Sequence, residues 1–204
     1  SSALNSRLQP LAKVINSKNT MPILECFLFE VKGDILNKTA SDSENVMRST
    51  VTLDEHDGEG RFAVPNRTIL DAVKELPEQP LTFQVDNETK KINILYQNGR
   101  YNFMFQSADE YPTTQGVGQG ASVITIKSII LSDNINRSIF ATAIDELRPV
   151  MNGIYFDLQA DSLAIVASDG HKLVRNKNYS VKSETPAAFI LPKKPATLLK
   201  SVLA

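Results

Sequence analysis

The sequence predicts an α+β protein assembled from repeated units, each with one helix followed by several antiparallel strands. Short stretches in which apolar and polar residues alternate predict half-buried strands, and they occupy much of the chain. Asn98-Gly99 stands between two such stretches, and this dipeptide strongly favours a β-hairpin. Four segments with the apolar spacing of a helix begin near residues 3, 65, 127 and 192, and a nearly constant interval is typical of a repeated unit.

Strands are predicted wherever residues of high β-propensity alternate with polar ones between turn-forming residues. Three or four of them follow each of the first three helical segments. The predicted strands are 23–31, 34–40, 46–53, 61–64, 81–85, 92–96, 101–105, 153–158, 162–167, 172–181 and 187–191.

The four helices are predicted from apolar residues spaced three or four positions apart. Pro10 lies within the first and is expected to kink it or delay its start. Pro65 and Pro192 precede the second and fourth, because proline suits the first turn of a helix. The third is rich in isoleucine, whose β-branched side chain leaves a strand as the alternative. The apolar stripes are Leu4, Leu8, Leu11 and Ile15, then Ile69, Leu70, Val73 and Leu76, then Leu131, Ile135 and Ile139, then Leu198, Leu199, Val202 and Leu203.

The chain has 204 residues, which is more than one typical domain and less than two. Residues 111–120 lack periodicity and contain three glycines, so they are interpreted as a connection between domains. The prediction is a first domain over 1–113, a linker over 114–121 and a second domain over 122–204.

The charge of the chain is nearly balanced but unevenly distributed. Lys and Arg number 22 against 23 Asp and Glu, for a formal charge of −1. Residues 21–60 hold nine acidic and three basic side chains, whereas residues 171–204 hold seven basic and one acidic. Near-neutrality therefore excludes only a protein that binds nucleic acid through bulk charge.

Basic side chains fall on the helix faces opposite the apolar stripes. If the helices lie side by side, these faces form a basic surface suited to salt-sensitive, sequence-independent contact with a phosphate backbone. Asp71 and Asp133 lie close to the same faces and weaken the pattern, so an ordinary solvated surface stays open as the alternative. The basic residues in question are Lys13, Arg67, Lys74, Arg137, Lys193 and Lys200.

Several function classes are disfavoured by composition. The single cysteine, Cys26, excludes a disulfide framework and suggests a reducing compartment, so the protein is predicted to be cytoplasmic. His56 and His171 are too few for a typical metal site, and no cofactor is predicted. No apolar run approaches the roughly 18–20 residues of a membrane helix. A hydrolase using Asp169 and His171 is one alternative, although a turn explains the Ser-Asp-Gly-His sequence at 168–171 more simply.

Short segments spread over nearly the whole chain occur in a recognisable order. The segments are 20–24 (Thr-Met-Pro-Ile-Leu), 40–42 (Ala-Ser-Asp), 64–67 (Val-Pro-Asn-Arg), 109–112 (Asp-Glu-Tyr-Pro), 152–156 (Asn-Gly-Ile-Tyr-Phe), 167–173 (Ala-Ser-Asp-Gly-His-Lys-Leu) and 191–194 (Leu-Pro-Lys-Lys). The first four resemble the first domain of the bacterial sliding clamp family, the beta subunits of DNA polymerase III. The last three resemble its second domain, and 168–173 with the preceding Asn-Gly is the most specific.

The resemblance implies a DNA clamp fold, with helices lining the inner face and sheets outside. Members of the family form a head-to-tail homodimer ring of three-domain subunits around duplex DNA, tether the polymerase to give processivity, and are placed on DNA by an ATP-driven loader. They have no catalytic site. We therefore expect duplex DNA and peptides of the polymerase and clamp loader as partners, and no membrane. The strand before the first helix, the end of the second domain and the third domain are expected to be absent. A repeat scaffold without a DNA role is a further alternative.

The resemblance also implies roles for particular residues. Lys18 falls in a loop where the family places a basic residue that contacts DNA, and Arg67 matches a basic position on an inner helix. Phe103 and Phe105 match an edge strand used in the subunit interface. One wall of a groove that captures short peptides is matched by Met151, Ser168, Gly170, His171, Lys172 and Leu173.

Overall fold

The computed structural model describes residues 1–16, 19, 21–113, 116, 118–145 and 147–203. The chain divides into two compact units, Ser1–Gln115 (unit 1) and Gly116–Ala204 (unit 2). The linker predicted over 114–121 includes three positions outside the described residues.

Unit 1 combines two helices with two antiparallel sheets. A five-stranded sheet has the order β3-β2-β1-β4-β8, and a three-stranded sheet has the order β5-β6-β7. The elements are α1 (Ser2–Ala12), β1 (Cys26–Lys32), β2 (Ile35–Ser41), β3 (Val46–Thr52), β4 (Gly60–Pro65), α2 (Asn66–Lys74), β5 (Thr82–Asp86), β6 (Lys91–Tyr96), β7 (Gly99–Met104) and β8 (Gln106–Ser107).

Unit 2 has two helices and a single antiparallel sheet with the order β11-β10-β9-β12. Short 3-10 turns, Ile139–Ala141 and Pro149–Met151, separate its first helix from its first strand. The elements are α3 (Ser128–Ser138), β9 (Gly153–Leu158), β10 (Leu163–Ser168), β11 (Leu173–Asn178), β12 (Ala187–Pro192) and α4 (Lys193–Leu203).

The two units repeat one another in strand register. Leu28 of β1 pairs with Thr39 of β2 and with Ala63 of β4. In unit 2, Tyr155 pairs with Val166 and with Ile190, and each of these three residues is numbered 127 higher than its counterpart in unit 1. The same shift relates the pair Ser41–Val46 to the pair Ser168–Leu173. Residues of the two units can therefore be compared position by position.

The core of each unit lies between its helices and one face of its sheet. In unit 2, Ile154, Phe156 and Ile165 from the strands join Ile135 of α3 and Ala196 of α4 in one buried cluster. Strand residues two apart share a face, so this face is apolar at every second position. The opposite face of the sheet is left for other contacts.

Unit 1 follows the same plan with one polar exception. The rings of Phe29 and Phe62 lie 5.9 Å apart, and Phe29 is the counterpart of Phe156. Lys38, which pairs with Phe29 on β2, is buried at the position that Ile165 occupies in unit 2. A lysine therefore replaces a core isoleucine beneath α1.

The α+β class and the repeated helices are confirmed, with differences in detail. The third predicted helix is helical, because its buried stripe packs on the sheet and outweighs the β-branched content. Pro10 lies inside α1, two residues before its end, so the helix begins well before the proline and its start is not delayed. Residues 23–25, predicted as strand, belong to a 3-10 turn that begins at Pro22. Proline supplies the turn's backbone angle and cannot donate to a sheet.

Candidate nucleic-acid interface and peptide groove

The helices of unit 1 carry exposed basic side chains. On α2 the buried stripe is Ile69, Ala72 and Val73, so Arg67 and Lys74 project from the other side into solvent. The two helices pack against each other, which brings their exposed sides onto one surface of the unit.

Helix α1 adds two more exposed basic side chains to this surface. Lys13 caps the C-terminal end of α1 and is exposed, as predicted. Arg7 is also exposed on α1, and sequence reasoning did not include it, although the first twenty residues contain bases and no acid. Asp71 is an exposed acid on α2. Lys18 lies outside the described residues.

The helices of unit 2 present a similar but less uniform surface. Arg137 on α3 and Lys200 on α4 are exposed, as is the acid Asp133. Lys193 is half-buried, because it begins α4 and its backbone N–H donates to the carbonyl oxygen of Asn152 at 2.9 Å. Lys193 therefore contributes less to an exposed surface than the helical pattern predicts.

The Ser-Asp-Gly-His-Lys-Leu segment forms the tight turn between β10 and β11. One oxygen of Asp169 accepts the backbone N–H groups of His171 at 3.0 Å and Lys172 at 2.9 Å. The Ser168 hydroxyl accepts the N–H of Gly170 at 3.1 Å and donates to the carbonyl of Lys172 at 2.9 Å. Gly170 has φ +90°, a conformation that glycine adopts without steric cost. The turn is therefore held by side chains at its own base.

These bonds also decide the chemistry of the turn. Hydrogen bonds from Lys172 and from the backbone of His171 hold the pKa of Asp169 well below its usual range, and Lys172 Nζ lies 2.9 Å from its second oxygen. The Asp169 carboxylate thus accepts a hydrogen bond from the backbone N–H of His171, and the Ser168 hydroxyl donates its proton to the carbonyl oxygen of Lys172. No nucleophile–base pair is assembled by these residues, so the geometry gives no support to the hydrolase alternative.

An apolar surface extends from this turn across the sheet face that is turned away from the helices. Tyr155, Val166 and Ile190 are neighbours in register there, and Leu173 pairs with Ser168 beside them. Tyr155 is 39% exposed and Leu173 67% exposed. We call Tyr155, Val166, Leu173 and Ile190 the outer face of unit 2. Met151, half-buried, lies just before β9 and completes the set of predicted groove residues.

Unit 1 has the same turn at the corresponding place. Asp42 accepts the N–H groups of Glu44 at 3.0 Å and Asn45 at 2.6 Å, and the N–H of Ser43 donates to Ser41 Oγ at 3.1 Å. Ser43 has φ +80° although it is not glycine. The turn is thus a shared element of the repeat.

The sheet face beside the turn is covered in unit 1. Tyr111 packs there with Cys26, Leu28 and Ala63, and its hydroxyl donates towards the carbonyl of Thr39 at 3.3 Å. Leu28 is consequently 5% exposed, against 39% for its counterpart Tyr155. Among the described residues, therefore, this face is covered at Leu28 in unit 1 and exposed at its counterpart Tyr155 in unit 2.

The two phenylalanines predicted at an edge strand separate in the structure. Phe103 lies on β7, the outermost strand of the three-stranded sheet, and is half-buried. Phe105 keeps a backbone hydrogen bond at the end of the same pair of strands, from its N–H to the carbonyl oxygen of Lys90 at 2.9 Å, and its interface role stays a prediction. Phe105 follows the end of β7, is 7% exposed, and its ring lies 5.4 Å from that of Phe62. Alternation extends through residue 105, but the chain there passes from one sheet to the other.

Neither a metal-type cluster nor a membrane-length helix is present among the described residues. No group of three or more His, Cys, Asp or Glu side chains in that part of the chain is arranged to hold a metal ion. Among the same residues, no helix is long and apolar enough to cross a membrane.

The protein is built from two equivalent units. Its basic helix surfaces and the exposed sheet face beside the 168–173 turn are suited to binding other molecules. The family model for the DNA polymerase III beta subunit, N-terminal domain, matches residues 1–115. The model for the central domain of the same subunit matches residues 125–204. The chain belongs to the DNA polymerase III beta subunit family.

Curated relatives agree with this assignment. The chain is 30% identical over 195 residues to the beta sliding clamp of Pseudomonas aeruginosa, covering 94% of the chain and 52% of the relative. It is 26% identical over 204 residues to the beta sliding clamp of Bacillus subtilis, covering 96% and 53%. The chain thus spans about half the length of the curated relatives that it matches.

Solved structures are similar over the whole chain. The DNA polymerase III subunit beta from Pseudomonas aeruginosa has a TM-score of 0.90 at 28% identity, covering 100% of this chain and 55% of that one. The beta subunit from Thermotoga maritima has a TM-score of 0.85 at 30% identity, covering 98% and 53%. A Pseudomonas aeruginosa sliding clamp bound to griselimycin has a TM-score of 0.89 at 27% identity, covering 100% and 55%.

Proposed function

We propose that this chain forms part of a ring-shaped sliding clamp that encircles duplex DNA and tethers the replicative DNA polymerase, conferring processivity without catalysis. The observation that carries the proposal is the match of both units, in order, to two successive domains of one family. The names of the relatives, beta sliding clamp, support the same function. The protein acts on DNA in the cell interior, in the cytoplasm, as a homodimer ring.

DNA lies against the basic helix surfaces in this proposal. Lysine and arginine contacts to phosphates are independent of sequence and weaken as salt rises. A ring that retains DNA by enclosing it requires only weak contacts, which is compatible with a formal charge of −1. The residues proposed to face DNA are Arg7, Lys13, Lys18, Arg67, Lys74, Arg137, Lys193 and Lys200.

Short peptides of the polymerase and the clamp loader bind at the outer face of unit 2. Exposed Tyr155, Leu173 and Ile190 supply apolar contact, and Gly170 allows a peptide backbone to approach closely. The groove residues are Met151, Ser168, Gly170, His171, Lys172 and Leu173. Phe103, on the edge strand β7, contributes to the subunit interface of the ring.

Charge reversal tests the DNA surface. Arg67→Glu with Lys74→Glu is expected to abolish the weak binding of the 204-residue chain to a fluorescent 20-base-pair duplex at low salt, because repulsion replaces phosphate contacts. Anisotropy titrations at rising salt measure this affinity, and Arg100→Glu, which replaces an exposed basic residue on β7, is the matched control.

In the intact clamp, retention on circular DNA should require the loader and end on linearisation. Nanomolar binding to the short duplex at physiological salt would contradict an enclosing clamp.

A polar substitution tests the peptide groove. Griselimycin, which is bound to a Pseudomonas aeruginosa relative, is the probe, and we propose that it occupies the outer face of unit 2. Leu173→Asp is then expected to weaken its binding to the chain about tenfold or more, because the substitution places a charge on this apolar face. Val46→Asp is the control, since Val46 is the counterpart of Leu173 in unit 1 and is also exposed. Isothermal titration calorimetry gives both affinities. Equal losses in the two variants, or none, would argue against the groove.

A further inference from the structure

Arg148 bridges two segments of unit 2 that carry proposed groove residues. Its Nε donates to Asp145 Oδ2 at 2.7 Å. Its Nη1 lies 3.2 Å from the point that a β-carbon on Gly170 would occupy. The guanidinium therefore packs directly against the glycine of the turn, and a larger residue at position 170 would press on it.

Asp145 is itself fixed by hydrogen bonds on all sides. Its backbone N–H donates to Asn152 Oδ1 at 2.9 Å, and Asn152 Nδ2 donates back to its carbonyl at 2.9 Å. The N–H of Leu147 donates to Asp145 Oδ1 at 2.8 Å. The hydrogen bond from Arg148 lowers the pKa of Asp145, so this carboxylate stays charged. The carboxylate therefore presents a fixed partner to Arg148.

The Asp145–Arg148 pair is connected by backbone hydrogen bonds to the segment before β9 and to the start of α4. The N–H of Met151 donates to the carbonyl of Arg148 at 2.9 Å, and the N–H of Lys193 donates to the carbonyl of Asn152 at 2.9 Å. The segment that carries Met151 is thus held by the same short network.

Comparison with unit 1 shows that the fold does not need this arrangement. By the 127-residue shift, the counterparts of Arg148 and Gly170 are Met21 and Ser43. The turn at Ser43 nevertheless forms, with the equivalent backbone N–H bonds to its Ser and Asp side chains and a positive φ. Arginine and glycine at these two positions therefore belong to unit 2, which carries the proposed groove, and forming the turn does not by itself require them.

We propose that Arg148, clamped by Asp145, is a positioning residue that seats the 168–173 turn against the segment bearing Met151. The two parts of the peptide groove thereby keep a fixed spacing before a ligand arrives. The inference rests on the proposed function of the outer face, which it deepens by assigning a support to the groove. Fixing a binding site in advance lowers the cost of ordering it on association.

The first experiment needs no ligand. In ¹H–¹⁵N spectra of the chain, Asp145→Ala and Arg148→Met are expected to shift the amide resonances of Gly170 and His171 in the same direction. Arg148→Met installs the residue that unit 1 carries. Asp161→Ala and Lys182→Met, an exposed acid and base of the same unit, should leave these resonances in place. Unchanged Gly170 and His171 resonances in both test variants would overturn the proposal.

The second experiment measures griselimycin affinity. Each test variant is expected to bind about fivefold more weakly, and the double variant no more weakly than either, because both substitutions remove one coupled contact. If Arg148→Met weakens binding and Asp145→Ala does not, Arg148 acts by direct contact and positioning is wrong. If the unaltered chain does not bind griselimycin, the proposed groove fails, while the spectra still decide whether Arg148 positions the turn.

Discussion

Replacing Lys38 with isoleucine is expected to stabilise the chain by about 3 kcal/mol at pH 7. Lys38 is fully buried, and its Nζ has no hydrogen-bond partner among the described residues. Burial, with a smaller contribution from Arg7, lowers its pKa from 10.5 to about 8. The counterpart of Lys38 in unit 2 is the core residue Ile165, so the fold already accommodates isoleucine at this position.

The pH dependence of this gain identifies its cause. Below pH 8 the folded chain must keep a charged ammonium in the core, and the full penalty is present. Between pH 8 and 10.5 the unfolded chain still binds the proton that the folded chain releases, so the unaltered protein gains stability as pH rises. Urea unfolding followed by circular dichroism should therefore show the advantage of Lys38→Ile shrinking over this range.

An exposed lysine provides the control for this experiment. Lys32→Ile on β1 alters a solvated side chain and should change the free energy of unfolding little at any pH. If the gain from Lys38→Ile were equally large at pH 7 and pH 10.5, burial of the charged amine would not be its source.

Replacing Tyr111 with alanine is expected to destabilise the chain by about 3–5 kcal/mol. Tyr111 is buried and covers Cys26, Leu28 and Ala63, so its removal leaves a cavity on the sheet face of unit 1. Tyr111→Phe keeps the ring and should lower the free energy of unfolding by only about 1 kcal/mol, because only the hydrogen bond of the hydroxyl is lost. Tyr179→Ala, at an exposed position on unit 2, is the control, and urea unfolding measures all three variants.

Stability measured at alkaline pH distinguishes the contribution of the Tyr111 hydroxyl from that of its ring. Burial raises the pKa of Tyr111 from 10 to about 12. Between these values the unfolded chain loses a proton that the folded chain retains, so stability falls as pH rises. The Tyr111→Phe variant should not show this contribution to the fall in stability, because it has no hydroxyl to ionise. A small effect of Tyr111→Ala, similar to that of Tyr179→Ala, would mean that the ring does not seal this face.

Tyr111 and Arg148 mark a difference between the two equivalent units. Both copies form the same Ser-Asp turn beside the same strands. In unit 1 Tyr111 covers the adjacent sheet face, whereas among the described residues of unit 2 Tyr155 is exposed and Arg148 packs against Gly170 of the turn. The two units therefore share one turn and differ in the residues that pack beside it.

Local patterns in the sequence determined much of the architecture. Alternating residues located most strands, and the apolar stripes located the four helices of the described residues. The hairpin between β6 and β7 is present as predicted, but its two-residue turn is Gln97-Asn98, with Gly99 already paired to Tyr96. The Ser-Asp-Gly-His segment predicted the turn at 168–171 because Asp and Gly satisfy its backbone within four residues. These features depend on neighbours in sequence, and such interactions can be read from the chain alone.

Only the tertiary structure decided what covers each face. Alternation assigns Phe105 and Lys38 to a face of a strand, but the burial of both depends on segments distant in sequence, Phe62 and α1 respectively. The contact of Arg148 with Gly170 and the seal formed by Tyr111 likewise join residues separated along the chain. Periodicity specifies which side chains share a surface. Packing between distant segments determines whether that surface becomes core or binding site.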